Sequence, residues 1–132
     1  MMNRRDHLAA MLAMAAVLLP VTKLRALEAS MEEADPQYGL LGQMMAQPGQ
    51  RAALVAILSE GTGTMPGNIA YLIGEDSANP DAIWIVELWD SKDAHAASLK
   101  LPAVQDAIKR GRPLIAGFGT RAEFKPVAKT GA

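Results

Sequence analysis

Apolar and polar positions follow one another in two distinct ways beyond residue 37, and together they predict a mixed α/β domain. Some segments show the short apolar runs or alternation of β-strands, and others repeat apolar residues at helical spacing. The predicted elements are, in order, strand 38–46, helix 48–60, strand 69–73, strand 82–89, a helix over 91–99 that restarts at Pro102, and strand 118–125. This βαββαβ order is the ferredoxin-like α+β pattern, with an antiparallel sheet and both helices on one face.

The strand over 82–89 is apolar on both faces, whereas a sheet covered on one side should alternate cleanly between apolar and polar residues. One set of alternate positions is wholly apolar, namely Trp84, Val86 and Leu88. We assign this set to the helices. Glu87, Trp89 and Gln43 then face a second copy of the chain, packed sheet against sheet as a homodimer. That space is either a plain packed interface or a ligand cavity.

The first thirty residues differ in character from the rest. Arg4 and Arg5 precede an apolar run over 8–19 that Pro20 closes. The run is too short for a stable membrane span, which takes ~20 apolar residues, and it fits an export signal of the twin-arginine type. We therefore expect residues 1–29 to be a signal, residues 30–37 a linker, and the protein to be periplasmic or exported.

Two other interpretations of the leader stay open. The segment could be an N-terminal helix packed on the domain. Alternatively, translation could start at Met31, which would leave the protein in the cytoplasm.

Composition excludes several classes of function. The net charge of −1 argues against a nucleic-acid partner, since binders of nucleic acid are usually distinctly basic. The chain has no cysteine and two histidines, so thiolate chemistry is excluded and no cluster has the spacing of metal ligands. We therefore predict no metal site.

The stretch Glu87-Leu88-Trp89-Asp90-Ser91-Lys92-Asp93-Ala94-His95 joins a strand end to a short helix. With Leu99, Pro102-Ala103-Val104 and Arg112-Pro113-Leu114-Ile115, it resembles the antibiotic-biosynthesis-type monooxygenases. These are small dimeric α+β barrels that include quinol monooxygenases. The resemblance covers about residues 38–126 and leaves 127–132 as a flexible tail.

The resemblance implies oxygenation of a quinol-like or polyphenolic aromatic without metal or bound flavin. Many members carry a histidine about where Ser98 or Leu99 stands, and the haem-degrading branch uses it as an iron ligand. Here His95 lies roughly one helical turn earlier, so the resemblance implies no haem unless a rotated helix let His95 substitute. A non-catalytic barrel that binds a small apolar ligand is the alternative function.

The candidate site residues each have two interpretations. His95 is a candidate general base, since its ordinary pKa of about 6.5 suits proton transfer, or a structural histidine. Glu87 could orient His95 only if the turn between strand and helix folds back. Trp89 could be a stacking wall for an aromatic ring or a core residue, and Tyr71 a hydroxyl donor or a sheet-edge aromatic. Gln43 completes the expected ligand-binding set.

Overall fold

The computed structural model describes residues 20–23 and 35–131. Most of the expected export signal (residues 1–19 and 24–29) and of the expected linker (30–34) lies outside the described residues, as does residue 132. Within the described ranges, no helix is long and apolar enough to cross a membrane. Residues 35–131 belong to one compact unit, and residues 20–23 belong to another.

The unit contains four strands and three α-helices in the predicted order. Its elements are β1 (Tyr38–Ala46), α1 (Arg51–Gly61), β2 (Asn68–Glu75), β3 (Ala82–Trp89), α2 (Lys92–Ser98), α3 (Pro102–Gly111), a 3₁₀ turn (Arg112–Leu114) and β4 (Ile115–Phe124). The sheet order is β2-β3-β1-β4, and every neighbouring pair is antiparallel. The predicted ferredoxin-like α+β fold is confirmed.

The two central strands, β1 and β3, have the predicted bounds, whereas other elements are shifted. Helix α1 begins at Arg51 rather than at Pro48, because Pro48 and Gly49 form a turn in which Gly49 has a φ of 77°. That positive φ suits glycine, which lacks a Cβ. Strand β4 begins at Ile115, three residues before the predicted start.

Helix α2 begins immediately after the sheet. Ser91 is its N-cap, and its Oγ accepts a hydrogen bond from the backbone N–H of Ala94 at 3.0 Å. This bond satisfies one of the donors that a helix start leaves free. Pro102 then occupies the first position of α3. The chain can therefore change direction between the two short helices.

The prediction of which face of β3 the helices cover was wrong. Ile83 and Ile85 form a core cluster with Leu54 of α1, and Trp89 packs with Val104 of α3. The helices thus cover the face that carries Glu87. Both faces of this strand are largely apolar, so hydrophobicity alone does not distinguish them.

The opposite face of the sheet, called the outer face below, carries the wholly apolar set of β3. Val86 lies at its centre, because it pairs with Leu41 of β1 on one side and with Leu72 of β2 on the other. Leu72 is 63% exposed. The expected interface is corrected accordingly. Trp89, which was expected to face a second copy, is buried under the helices of the same chain, as are Ile83 and Ile85.

Candidate functional site

A cavity of about 600 Å³ lies between the inner face of the sheet and the helices. Volumes of this size are usual for small-molecule sites. Most of its wall is apolar and comes from β1, α1, the loop after α1 and α3, through Met44, Leu54, Leu58, Met65, Val104 and Ile108. Three residues that can exchange a proton or donate a hydrogen bond to a ligand also line the cavity, namely Tyr71, Glu87 and His95. The candidate site therefore lies within one chain, and not between two sheets as expected.

Glu87 projects from β3 into this cavity with a side chain that is 17% exposed. Its Oε1 accepts a hydrogen bond from Nε1 of Trp89 at 3.2 Å. The two side chains can meet because residues two positions apart in a strand lie on the same face of the sheet. Burial raises the pKa of the Glu87 carboxyl above its ordinary value, although the Trp89 bond and the charge of Arg121 act in the other direction. Glu87 can therefore hold a proton at a higher pH than a surface glutamate can.

His95 lies on α2, and the turn at Asp90 and Ser91 folds back to bring it to Glu87. The two side chains approach to 4.0 Å between Nε2 and Oε1. The imidazole also packs against the ring of Tyr38 at 5.7 Å between centroids and edge-on against Trp89 at 5.4 Å.

The environment of His95 favours its neutral form. Burial lowers the pKa of the imidazole below its ordinary value, and the nearby charge of Arg121 lowers it further, whereas Glu123 acts to raise it. A neutral imidazole can accept a proton, so His95 can act as a base towards a hydroxyl group in the cavity.

Tyr71 lies on β2 directly across from Glu87 in the strand pairing. Burial raises the pKa of its phenol, and the neighbouring Glu87 raises it further. The hydroxyl therefore keeps its proton at neutral pH and is available as a hydrogen-bond donor at the cavity wall.

Trp89 does not form the stacking wall that the sequence suggested. Its side chain is fully buried and lines neither of the two larger cavities of the described part of the chain. It instead packs behind the site, where its N–H binds Glu87 and its ring contacts His95. Trp89 thus positions two polar residues and does not itself face the cavity.

Gln43 also lies elsewhere than expected. It pairs with Trp84 across β1 and β3, so it belongs to the outer face, opposite to Glu87. The pairing of β1 with β4 shifts register between Gly42 and Met44, and Gln43 lines a smaller cavity at this irregularity. Gly119 makes room there, because a Cβ on this residue would collide with Oε1 of Gln43.

A polar group next to His95 was missed by the sequence analysis. Tyr38 is buried, and its hydroxyl donates a hydrogen bond to Oε1 of Glu123 at 3.0 Å. Nη2 of Arg121 donates to the same oxygen at 3.3 Å, and Nζ of Lys92 lies 3.7 Å from Oε2. These bonds hold the pKa of the Glu123 carboxyl below its ordinary value, the Tyr38 bond contributing most. One sequence signal could have indicated that Tyr38 is buried, namely its place in β1 two residues before Leu40, on the same face of the strand.

Across residues 20–23 and 35–131, no group of three or more histidine, cysteine, aspartate or glutamate side chains is arranged to hold a metal ion. The chemistry available at the cavity from these residues is proton transfer and hydrogen bonding by Glu87, His95 and Tyr71.

The sequence pattern that defines the antibiotic biosynthesis monooxygenases matches residues 38–110, more than half of the chain. The chain belongs to the antibiotic biosynthesis monooxygenase family. The match includes Tyr71, Glu87 and His95, so the candidate site lies within the family domain.

Solved structures of similar proteins agree with this assignment. A proposed antibiotic biosynthesis monooxygenase from Chloroflexus aurantiacus J-10-fl is 56% identical, with a TM-score of 0.70, covering 72% of this chain and 97% of its own. Proposed family members from Deinococcus radiodurans and Caulobacter crescentus CB15 share the fold. The first is 23% identical with a TM-score of 0.59, over 72% of this chain and 97% of its own. The second is 18% identical with a TM-score of 0.61, and the match covers 70% of this chain and 92% of its own. No curated protein sequence matches the chain significantly.

Proposed function

We propose that this family member is a monooxygenase that acts on a quinol-like or polyphenolic aromatic without a metal or flavin. The observation that carries the proposal is the pairing of Glu87 and His95 at the wall of a largely apolar cavity. The cavity accepts an aromatic ring, and the pair supplies the proton transfer that such a reaction requires.

The proposed reaction begins when neutral His95 accepts the proton of a substrate hydroxyl. The resulting phenolate passes one electron to oxygen, and the two radicals combine to form a carbon–oxygen bond at a ring carbon that bears hydrogen. Loss of that ring proton then breaks the O–O bond. One oxygen atom becomes the quinone carbonyl, and the other leaves as water with the two protons that the substrate has lost.

Glu87 and Tyr71 support this sequence from the β-sheet. A protonated Glu87 can donate to the leaving oxygen, and an ionised Glu87 can stabilise the imidazolium of His95. The Tyr71 hydroxyl can donate a hydrogen bond to the substrate oxygen. The apolar lining excludes water and so favours recombination of the radicals over the escape of superoxide.

Oxygen consumption by flavin-free, chelator-treated protein, measured with a panel of reduced quinones and polyphenols, tests the proposal. We expect uptake above the rate of spontaneous oxidation for at least one substrate, and loss of that excess in His95→Gln. Uptake that is equal with and without protein for every substrate would sink the proposed activity.

The alternative function is a non-catalytic barrel that binds a small apolar ligand. The apolar lining of the cavity and the early position of His95 in α2 favour it. Saturable ligand binding without excess oxygen uptake would support this alternative and contradict the monooxygenase.

We also propose that the protein is a homodimer whose outer faces pack against each other. The outer face carries Leu41, Leu72, Val86 and Phe124, of which Leu72 is 63% and Phe124 40% exposed. An apolar surface of this kind usually marks an interface.

Export through the twin-arginine signal over residues 1–29 also remains a proposal. It is supported by Arg4, Arg5 and the apolar run that follows them. Replacing both arginines by lysine should leave the full-length precursor in the cytoplasm, and N-terminal sequencing of native protein should find a start near Leu27 or Ser30. A start at Met1 would favour a packed helix, and a sole start at Met31 would favour a cytoplasmic protein.

A further inference from the structure

A second cavity, of about 290 Å³, adjoins the first where β1 and β4 lose their regular pairing. Four residues line both cavities, namely Met44, Glu87, His95 and Phe118. The acid–base pair therefore lies at the junction of the two spaces. A ligand whose ring occupies the large cavity next to His95 can extend a substituent into the small one.

The wall of the small cavity is mostly apolar, with a somewhat larger polar share than that of the large one. Gln43, Thr120 and Arg121 are the polar residues that line the small cavity in addition to Glu87 and His95. Among the residues that the structure describes, Glu123 is the one side chain that accepts a hydrogen bond from Arg121. A guanidinium has five N–H donors, so Arg121 retains donors for a ligand.

Charged groups of both signs lie at this end of the site. Arg121 is the cation among the residues that line the small cavity, and Glu87 is the carboxyl, whose negative charge burial disfavours. Behind this lining, Arg121 and Lys92 lie beside the carboxylate of Glu123. The positive charge of Arg121 also reaches the junction, where it lowers the pKa of both Glu87 and His95. An anionic substituent in the small cavity would lie beside this charge.

We propose that the small cavity binds an anionic substituent, such as a carboxylate, of an aromatic ligand whose ring lies in the large cavity. Arg121 is the specificity-determining residue. The inference rests on the proposed function for the place of the ring, and it narrows the substrate class to hydroxylated aromatic acids. Neutral quinols would not engage the charge of Arg121.

Calorimetric titration with a matched pair of ligands, 1-naphthol and 1-hydroxy-2-naphthoate, tests the inference. We expect the wild-type protein to bind the acid roughly tenfold more tightly than the naphthol, which is the scale of one charge-assisted hydrogen bond. The preference should weaken as salt is added, because Arg121 is 63% exposed and its charge is screened.

Substitution then assigns the preference to one residue. Arg121→Gln should remove the preference and leave the naphthol affinity within about twofold, whereas Arg121→Lys should retain part of it. Arg110→Gln is the control, because Arg110 loses a charge on α3 where it pairs with Asp106 and Glu60, outside both cavities.

Equal affinities for the two ligands in the wild-type protein, no measurable binding of the acid, or a preference that survives in Arg121→Gln would overturn the inference. The result is separable from that for the proposed function. A preference for the acid without oxygen uptake would uphold the anion site and contradict the monooxygenase. Oxygen uptake without a preference for the acid would uphold the monooxygenase and contradict the anion site.

Discussion

The Nε2 atom of His95 lies 4.0 Å from Oε1 of Glu87, although the first residue belongs to a helix and the second to a strand. Burial acts oppositely on the two groups, since it raises the pKa of Glu87 from an ordinary 4.5 and lowers the pKa of His95 from an ordinary 6.5. The two pKa values therefore converge. Convergence makes proton exchange between the side chains easier, which suits a pair that accepts and returns a proton in one reaction cycle.

Replacing Glu87 by glutamine should reduce turnover while preserving the cavity. The amide keeps an oxygen that can accept the Trp89 hydrogen bond, but it can neither carry the negative charge nor exchange a proton. We expect kcat to fall roughly 100-fold, the lower end of the range for general acid–base groups. Steady-state oxygen uptake measures the effect, with Glu60→Gln on α1 as the control outside both cavities. A kcat within twofold of the wild-type value would remove Glu87 from the mechanism.

The rate should depend on pH through His95. The neutral imidazole is the active form, and its pKa is lowered by burial. The value of kcat/KM should therefore rise with pH through a midpoint below 6.5 and be constant at neutral pH until the substrate itself ionises. Rates measured in overlapping buffers from pH 4 upward check this.

Two substitutions in helix α2 test whether His95 is the group that sets the pH midpoint of kcat/KM. His95→Gln should abolish the acidic limb together with most of the activity, and Asp93→Asn, at an exposed position of the same helix, should leave the midpoint unchanged. A midpoint above 6.5 in the wild-type protein would contradict the proposed burial of a neutral histidine.

Glu87→Gln should also make the folded protein more stable at neutral pH. Because the pKa of Glu87 is raised on folding, the folded state binds the proton more tightly than the unfolded state. Its contribution to stability is therefore fully present below pH 4.5 and is lost as the pH rises through the folded pKa. The glutamine, which cannot ionise, avoids that loss.

Thermal unfolding at several pH values measures this difference. We expect Tm of Glu87→Gln to exceed the wild-type value at pH 7 and the excess to shrink towards pH 4. A change of about 1 kcal/mol corresponds to roughly 4–8 °C in a domain of 60–100 residues, so the effect is measurable. A variant that is less stable at pH 7 would show that ionised Glu87 is stabilised by its surroundings.

The proposed dimer can be tested at the centre of the outer face. Val86→Glu would place a carboxylate between two apolar sheets, and we expect the dissociation constant to rise roughly 100-fold or more. Light scattering should then give the mass of one chain at micromolar concentration. Val127→Glu is the control, since Val127 is 92% exposed beyond β4, and it should keep twice that mass. A monomeric wild-type protein would contradict the dimer.

Local sequence signals predicted the elements well where one residue type or period decides the structure. The apolar runs of β1 and β3 predicted both strands with their observed bounds, and Ser91 marked the start of α2. The face of the sheet could not be predicted in the same way. Glu87 was expected to avoid the helices as a polar residue, but its bond to Trp89 and its closeness to His95 let it lie beneath them.

The rest of the site depends on contacts between residues far apart in the chain. Tyr38 and Glu123 are 85 positions apart, and they meet because β4 pairs with the start of β1. The small cavity lies at the register shift near Gly42, and no periodic pattern in the sequence predicts that shift. For this reason the role of Arg121 could not be inferred before the fold was known.

Labelled oxygen tests the central claim most directly, namely that the chain itself promotes insertion of one atom of O₂ into a phenolic ring. Flavin-free, chelator-treated protein is incubated with ¹⁸O₂ and a phenol that it turns over, and the quinone is analysed by mass spectrometry. The account predicts one labelled oxygen per quinone, one O₂ consumed per product and no hydrogen peroxide. A quinone without label, formed with hydrogen peroxide at the same rate in His95→Gln, would contradict it.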